Sequence, residues 1–326
     1  MMEQRTVGRL GRSFSVIGIG TWQLGADWGS VEPADAEATL EAAVEAGITF
    51  FDTADVYGDG RSEQFTGALH ARHPETFVAT KMGRRVEQRL ENYSPANFDA
   101  WNARSRANLD MKTLDLVQLH CPPDEVYESD AVFAALDEMV SDGRIRAYGV
   151  SVETCEQALA AIARPNVASV QIILNCFRLK PLEQVLPAAA EAGVGIVARV
   201  PLASGMLSGR YDANTTFAPN DHRNYNRHGE AFDVGETFSG VPYDVGLEAV
   251  EELKRLVAPG MTLAQFALRW VIDQPGLSTV IPGARNPEQV RANAAVAALP
   301  PLSDEQLSGV VDVYDRLLRA HVHDRW

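Results

Sequence analysis

The sequence is poor in cysteine, in long apolar runs and in positive charge. Cys121, Cys155 and Cys176 are the only cysteines in 326 residues, and their spacing matches no zinc or redox motif. An odd, scattered set reads as reduced thiols of a cytoplasmic protein, not as a disulfide framework. No stretch of about 18 consecutive apolar residues occurs, so no membrane-spanning helix is expected. The opening segment, MMEQRTVGRLGRS, lacks the apolar centre of a secretory signal. Twenty-nine basic residues face 44 acidic ones, a formal charge of −15. Such a surface repels nucleic acid and anionic membrane, so neither is expected as a partner. An anionic ligand needs a local basic pocket instead. No metal-ligand cluster stands out, and His321 and His323 read as a solvated chain end.

Apolar residues make up 46% of the chain, enough for a large core. They fall into short runs that alternate with stretches of helix length. The runs lie at 16–20, 49–52, 76–81, 114–120, 145–151, 169–174, 195–200 and 278–281. Helices are predicted after them, over 33–45, 62–70, 94–109, 131–141, 154–162, 182–192 and 287–297. Pro33 suits a first helical turn, and Gly47 and Gly143 suit helix stops. Most runs show little polar alternation, as expected of parallel strands covered on both faces. Eight such units predict one (β/α)8 barrel, a TIM barrel in a single domain over 1–326. A long polar segment, 204–243, interrupts the rhythm after the seventh run and reads as a functional cover or as disorder. Extra helices are predicted at 244–257 and 262–273, and a capping helix with a short tail at 303–326.

In such barrels the reacting groups sit at the C-terminal ends of the strands. Three successive runs end on Asp52, Lys81 and His120, and Tyr57 follows the first of them by five residues. Each residue alone is unremarkable: a turn cap, a packed loop aromatic, a solvated base. Together they fit one mechanism. A phenol with a pKa of about 10 is a poor acid at neutral pH, and a nearby ammonium lowers that value. Lys81 supplies the ammonium, Asp52 holds it, His120 donates a hydrogen bond to a substrate oxygen, and Tyr57 protonates a carbonyl as a hydride arrives. The hydride has to come from a cofactor. Near the eighth run, Gly283 permits close backbone approach, and Arg285 stands before a helix N-terminus able to receive an adenosine phosphate. The glycines of Gly18-Ile19-Gly20 lack the continuation of a Rossmann fingerprint.

The stretches IGIGTWQLG, FFDTADVYGDGRSE, VATK, DLVQLH, GRIRAYGVS, VPLASGMLSGR and IPGARNPEQVRAN resemble those of the aldo-keto reductases, in the same order and across nearly the whole chain. The likeness is to bacterial members with a VPLASG segment, not to the mammalian aldose reductase branch. It implies an NADPH-dependent reductase of aldehydes or ketones, NADH not excluded, with Asp52, Tyr57, Lys81 and His120 as its tetrad. It also implies cofactor contacts. Gly20, Thr21 and Trp22 come from the first loop, and Asp52, Ser151 and Gln171 serve the nicotinamide side. Pro201, Leu202, Ser204, Gly205, Leu207 and Arg210 cover the pyrophosphate. Gly283, Arg285, Gln289 and Asn293 serve the adenosine side. Trp22, Tyr57 and His120 would touch the small carbonyl substrate, with Trp28 and the loop around Tyr225 adding apolar walls. Two residues depart from the pattern. Val152 replaces an asparagine, with Asn175 as a candidate substitute for its hydrogen bond. Arg199 replaces an aromatic that stacks on the nicotinamide, and its charge is expected to favour the reduced cofactor. A sugar or polyol dehydrogenase using NAD(P)+ shares these features, as does a redox-sensing regulatory subunit.

Overall fold

The computed structural model describes residues 2–25 and 31–326; Trp28 lies outside them. Eight parallel strands form the barrel: β3 (Ile19–Gly20), β4 (Phe50–Asp52), β5 (Phe77–Met82), β6 (Leu116–His120), β7 (Tyr148–Ser151), β8 (Val167–Ile173), β9 (Gly195–Arg199) and β10 (Leu277–Val280). All eight predicted runs are strands, in spatial order equal to chain order. The first is only two residues long. The ring closes beside it through parallel bridges Ile17–Val280 and Gly20–Gly283, with the Gly18 N–H donating to the Val280 carbonyl at 2.8 Å.

The helices stand where the local signals put them. Pro33–Glu45 begins on its proline. Pro95–Leu109 begins after Ser94, whose hydroxyl accepts the Asn97 N–H. Thr154 with Gln157, and Thr262 with Gln265, form reciprocal capping boxes that satisfy two orphan N–H groups each.

Three features go beyond what the sequence pattern specified. The polar N-terminal segment is an antiparallel hairpin, β1 (Gln4–Val7) with β2 (Arg12–Ser15), lying across the N-terminal end of the barrel. Val7 and Phe14 enter that end and pack with Phe50, Phe77, Leu116 and Val197. A side chain at Gly195 would run into Val7 at 2.8 Å, so the glycine makes room for the hairpin. Alternation over so short a segment, interrupted by Gly8 and Gly11, is a weak strand signal. Second, the C-terminal tail is docked, not frayed. Trp326 is buried, donates through Nε1 to Asp233 at 3.0 Å and carries the Arg178 guanidinium 3.8 Å from its ring centroid. One tryptophan's apolar area is large enough to hold a chain end.

Third, the long segment after β9 has internal order. It contains short helical turns at Ala203–Ser208, His222–Tyr225, Val234–Glu236 and Phe238–Gly240. Two polar side chains organise it. The Asn226 carbonyl accepts the N–H groups of Ala231 and Phe232 at 2.8 and 2.9 Å. The Ser204 hydroxyl donates to the Glu236 carbonyl at 2.8 Å and accepts the Phe238 N–H at 3.2 Å. These bonds replace the regular ladder that a loop of this length lacks.

Candidate active site at the barrel mouth

Parallel pairing places the strand ends side by side: Gly20 beside Asp52, Lys81 beside Gln118, His120 beside Ser151, and Ser151 beside Gln171. Asp52, Gln118 and Lys81 therefore meet in the centre. The Lys81 ammonium donates to Asp52 Oδ1, to the Thr53 carbonyl at 3.0 Å and to the Tyr57 hydroxyl at 3.4 Å. Asp52 Oδ2 accepts from Gln171 at 2.8 Å and Gln118 at 3.2 Å. The ion pair is buried on every side, with Lys81 1% and Asp52 2% exposed. Its charges persist there because each is also hydrogen-bonded to further groups.

The loop carrying Tyr57 is pinned by a close approach. Gly58 has φ +57°, and a Cβ there would lie 2.1 Å from the Gly25 carbonyl oxygen. The turn that follows β3 is thereby held against the turn that follows β4. Tyr57 consequently stacks on Trp22 at 6.0 Å and 23°, and meets the His120 ring edge-on at 6.0 Å. All four tetrad positions expected from the sequence converge.

Burial raises the Tyr57 phenol above its ordinary value, and Lys81 opposes that rise without overcoming it. The expectation of a net lowering is corrected: in a dry site desolvation outweighs one neighbouring ammonium. Burial also works against the Lys81 charge, yet Asp52 and Tyr57 beside it hold its pKa above the usual amine value. Burial, then Arg84, Lys81 and Arg199, push His120 well below the ordinary imidazole value, so the ring is neutral.

The tetrad opens into a cavity of about 880 Å³. Gly20, Thr21, Trp22, Ser151, Gln171, Arg199, Pro201, Leu202, Ser204, Gly205, Arg210, Gly283, Arg285, Gln289 and Asn293 all line it. Three expectations change, for Leu207, Asn175 and Arg199. Leu207 is fully buried and off the wall; Ser208 and Tyr211 line the cavity nearby. Asn175 is committed to the Val200 carbonyl, the Ser239 hydroxyl and the Phe177 N–H, so it does not replace the missing asparagine. Gln171 keeps its place on the wall, its amide also reaching Asp52. Arg199 does not carry an uncompensated charge: it pairs with the half-buried Glu236 and donates to the Val152 carbonyl at 2.9 Å. The paired charge therefore gives Arg199 no basis for selecting the reduced cofactor.

Sequence reasoning missed Gln23, Gln118, Arg84, Arg223 and Glu236 on or beside this wall. Gln118 was within reach, because it lies two residues before His120 on an inward-facing strand. Arg84 and Glu236 sit in loops and carried no periodic signal. No helix among the described residues is long and apolar enough to cross a membrane, and they hold no group of metal-ligating side chains.

The model of the Aldo/keto reductase family matches residues 16–315. The chain belongs to the aldo/keto reductase family. It is 29% identical over 313 residues to aldo-keto reductase YhdN of Bacillus subtilis, covering 94% of this chain and 92% of that protein. Among solved structures it is similar to an aldo-keto reductase of Bacillus halodurans in its holo form, with TM-score 0.77, 25% identity and 96% of each chain covered. It is also similar to the glycerol dehydrogenase of Gluconobacter oxydans, with TM-score 0.78, 29% identity, and 98% and 96% of the two chains covered. The protein is thus an oxidoreductase of the aldo-keto reductase type on a TIM barrel.

Proposed function

We propose that this aldo-keto reductase reduces an aldehyde or ketone with NADPH, with Tyr57 as the general acid. One observation carries the reading: a single buried ammonium contacts both Asp52 and the Tyr57 hydroxyl at the floor of a cavity large enough for a dinucleotide. When bound, the nicotinamide supplies the hydride.

The residues suit such a cofactor. Burial and then the neighbouring Arg223 hold the Arg285 guanidinium below its ordinary value, and Arg210 lines the same cavity. Cations gathered against one another at one end suit a phosphate. The Gln23 carboxamide rests directly on Gly283, where a Cβ would lie 2.1 to 2.4 Å from it, and its buried Oε1 has no partner among the described residues. Arg285, Gln289 and Asn293 are assigned to the adenosine side, and Pro201, Leu202, Ser204, Gly205 and Arg210 to the pyrophosphate. Gly20, Thr21, Trp22, Ser151, Gln171 and Arg199 are assigned to the nicotinamide side.

The proton chemistry follows from the electrostatics. A raised phenol pKa keeps Tyr57 protonated at neutral pH, ready to donate. As its proton moves to the carbonyl oxygen, the Lys81 ammonium stabilises the phenolate left behind, and Asp52 keeps Lys81 aimed at it. Neutral His120 offers a hydrogen bond to the same oxygen without competing as an acid. Trp22 closes one side of the substrate space.

The similarity to a glycerol dehydrogenase favours a second direction, alcohol oxidation at the same centre with Tyr57 accepting the proton through Lys81-stabilised phenolate. The test is a panel of carbonyl compounds, 4-nitrobenzaldehyde and glyceraldehyde included, followed at 340 nm with NADPH and NADH, alongside glycerol with the oxidised nucleotides. Reduction faster than glycerol oxidation is expected. Nucleotide binding with no turnover in either direction would remove the proposal and leave a cofactor-binding regulatory role.

A further inference from the structure

Beside His120 the cavity wall carries charges that carbonyl reduction itself does not call for. Arg84, just beyond β5, is fixed on two sides. Its Nε donates to the His120 carbonyl at 3.3 Å and its Nη2 to Glu153 at 2.9 Å. Its Nη1 has no partner among the described residues, and the side chain faces the cavity. Glu236 comes from the long loop, positioned there by the bond from Ser204 to its own carbonyl. It pairs through Oε1 with Arg199, and it too lines the cavity. Burial works against the Glu236 charge, but Arg199 and then Arg84 hold its carboxyl below the ordinary range. Four charges, three from loops and Arg199 from the end of β9, thus alternate in sign: Glu153, Arg84, Glu236, Arg199. Their sum is zero.

Two guanidiniums around one histidine would form an anion site if left to themselves. Glu236 neutralises it from within. We infer that Glu236 is a specificity-determining residue: its carboxylate takes the place that Arg84 and Arg199 would offer to an anion, so the enzyme selects neutral, hydroxyl-bearing carbonyl compounds over anionic ones. The inference rests on the carbonyl-reductase reading above. A hydroxyl both donates and accepts. Arg84 Nη1 offers it a donor, and Glu236 Oε2, which has no partner among the described residues, offers it an acceptor. A carboxylate would instead bring a second negative charge against a largely enclosed one, where repulsion is stronger than in open water. A purely apolar substrate would strip water from both groups and return no hydrogen bonds.

The test compares kcat/KM for glyceraldehyde and for glyoxylate, small aldehydes that differ in hydroxyl content and charge. The wild type is expected to favour glyceraldehyde by about tenfold or more, and Glu236→Gln to shrink that ratio by about tenfold, through a lower KM for glyoxylate. Arg84→Met is expected to raise KM for glyceraldehyde. A measurement without cofactor or turnover accompanies these: acetate, compared with chloride at equal ionic strength, should raise the melting temperature of Glu236→Gln and not of the wild type. Glu236→Ala replaces the glutamine variant if that fails to fold. An unchanged substrate ratio with no acetate effect overturns the inference. A wild type that reduces no aldehyde sinks the carbonyl-reductase reading instead, and the acetate measurement then decides by itself whether Glu236 fills an anion site.

Discussion

Phe50 and Asp52 are two residues apart on β4 and point into the same barrel, yet one belongs to an apolar plug and the other to a charged mouth. The contrast repeats on the neighbouring strands. Phe77 and Lys81 share β5, and Leu116, Gln118 and His120 share β6. At the N-terminal end, Phe14 from the hairpin packs between Phe50 and Phe77 at centroid distances of 5.2 and 4.5 Å. At the other end, inward positions carry an ion pair, two carboxamides and an imidazole, all buried. One end holds the barrel together by excluding water. The other maintains desolvated charges that only a rigid scaffold can keep in place.

This division can be broken from either side. Tyr57→Phe should lower turnover by about 10² to 10⁴ while nucleotide affinity, measured by fluorescence titration, and melting temperature stay near wild type. Substantial remaining activity would assign the acid elsewhere. Lys81→Met belongs to both ends of the argument. It should remove turnover comparably and also destabilise by about 3–5 kcal/mol, because Asp52 is left charged and unpaired; urea unfolding reads the second effect. Phe77→Ala should cost about 3–5 kcal/mol of stability with turnover per folded molecule unchanged. A fall in its kcat at a temperature where it is fully folded would mean the two ends are coupled.

The smallest effect concerns Asp55, between the two members Asp52 and Tyr57. Burial, and then Glu63, push its carboxyl up to about 7, against the opposing pull of Arg85 and Arg104. Among the described residues neither carboxylate oxygen has a hydrogen-bond partner of good geometry, and the Val56 backbone N–H lowers the Asp55 pKa only slightly. Unfolded, the group titrates at its ordinary 3.8. The folded state therefore binds the extra proton between these values, and stability falls as pH rises from about 4 to about 7. Asp55→Asn should flatten that slope and be more stable than wild type at pH 8, by on the order of 1–2 kcal/mol. Denaturation at pH 5 and pH 8 checks it, and a parallel pair of curves would count against a protonated Asp55.

The meeting of Asp52, Tyr57, Lys81 and His120 at one place was legible for a physical reason. In a parallel barrel every strand ends at the same face, so ending a run on Asp52, Lys81 or His120 already specifies a common location. The anchoring glutamines Gln118 and Gln171 lie on the same inward rows. Arg84 and Glu236 were not legible, because loop residues carry no periodicity. Their positions depend on backbone paths set by distant contacts, such as Ser204 to Glu236 and Phe238. Leu207 illustrates the same limit: its segment does border the cavity, but which side chains of a helical turn face it depends on how the turn is rolled.

The linear chain by itself determined the alternation of strand and helix, the order of the strands and the three polar groups near their tips, since local periodicity and capping dictate element type and end point. The folded state alone decided that a polar N-terminal segment would plug the barrel, that Arg199 would be neutralised by Glu236, and that Tyr57 would hold its proton more tightly than a lysine neighbour suggests. Each of these depends on burial and on long-range pairing, which are properties of how the elements pack and are written in no single stretch of residues.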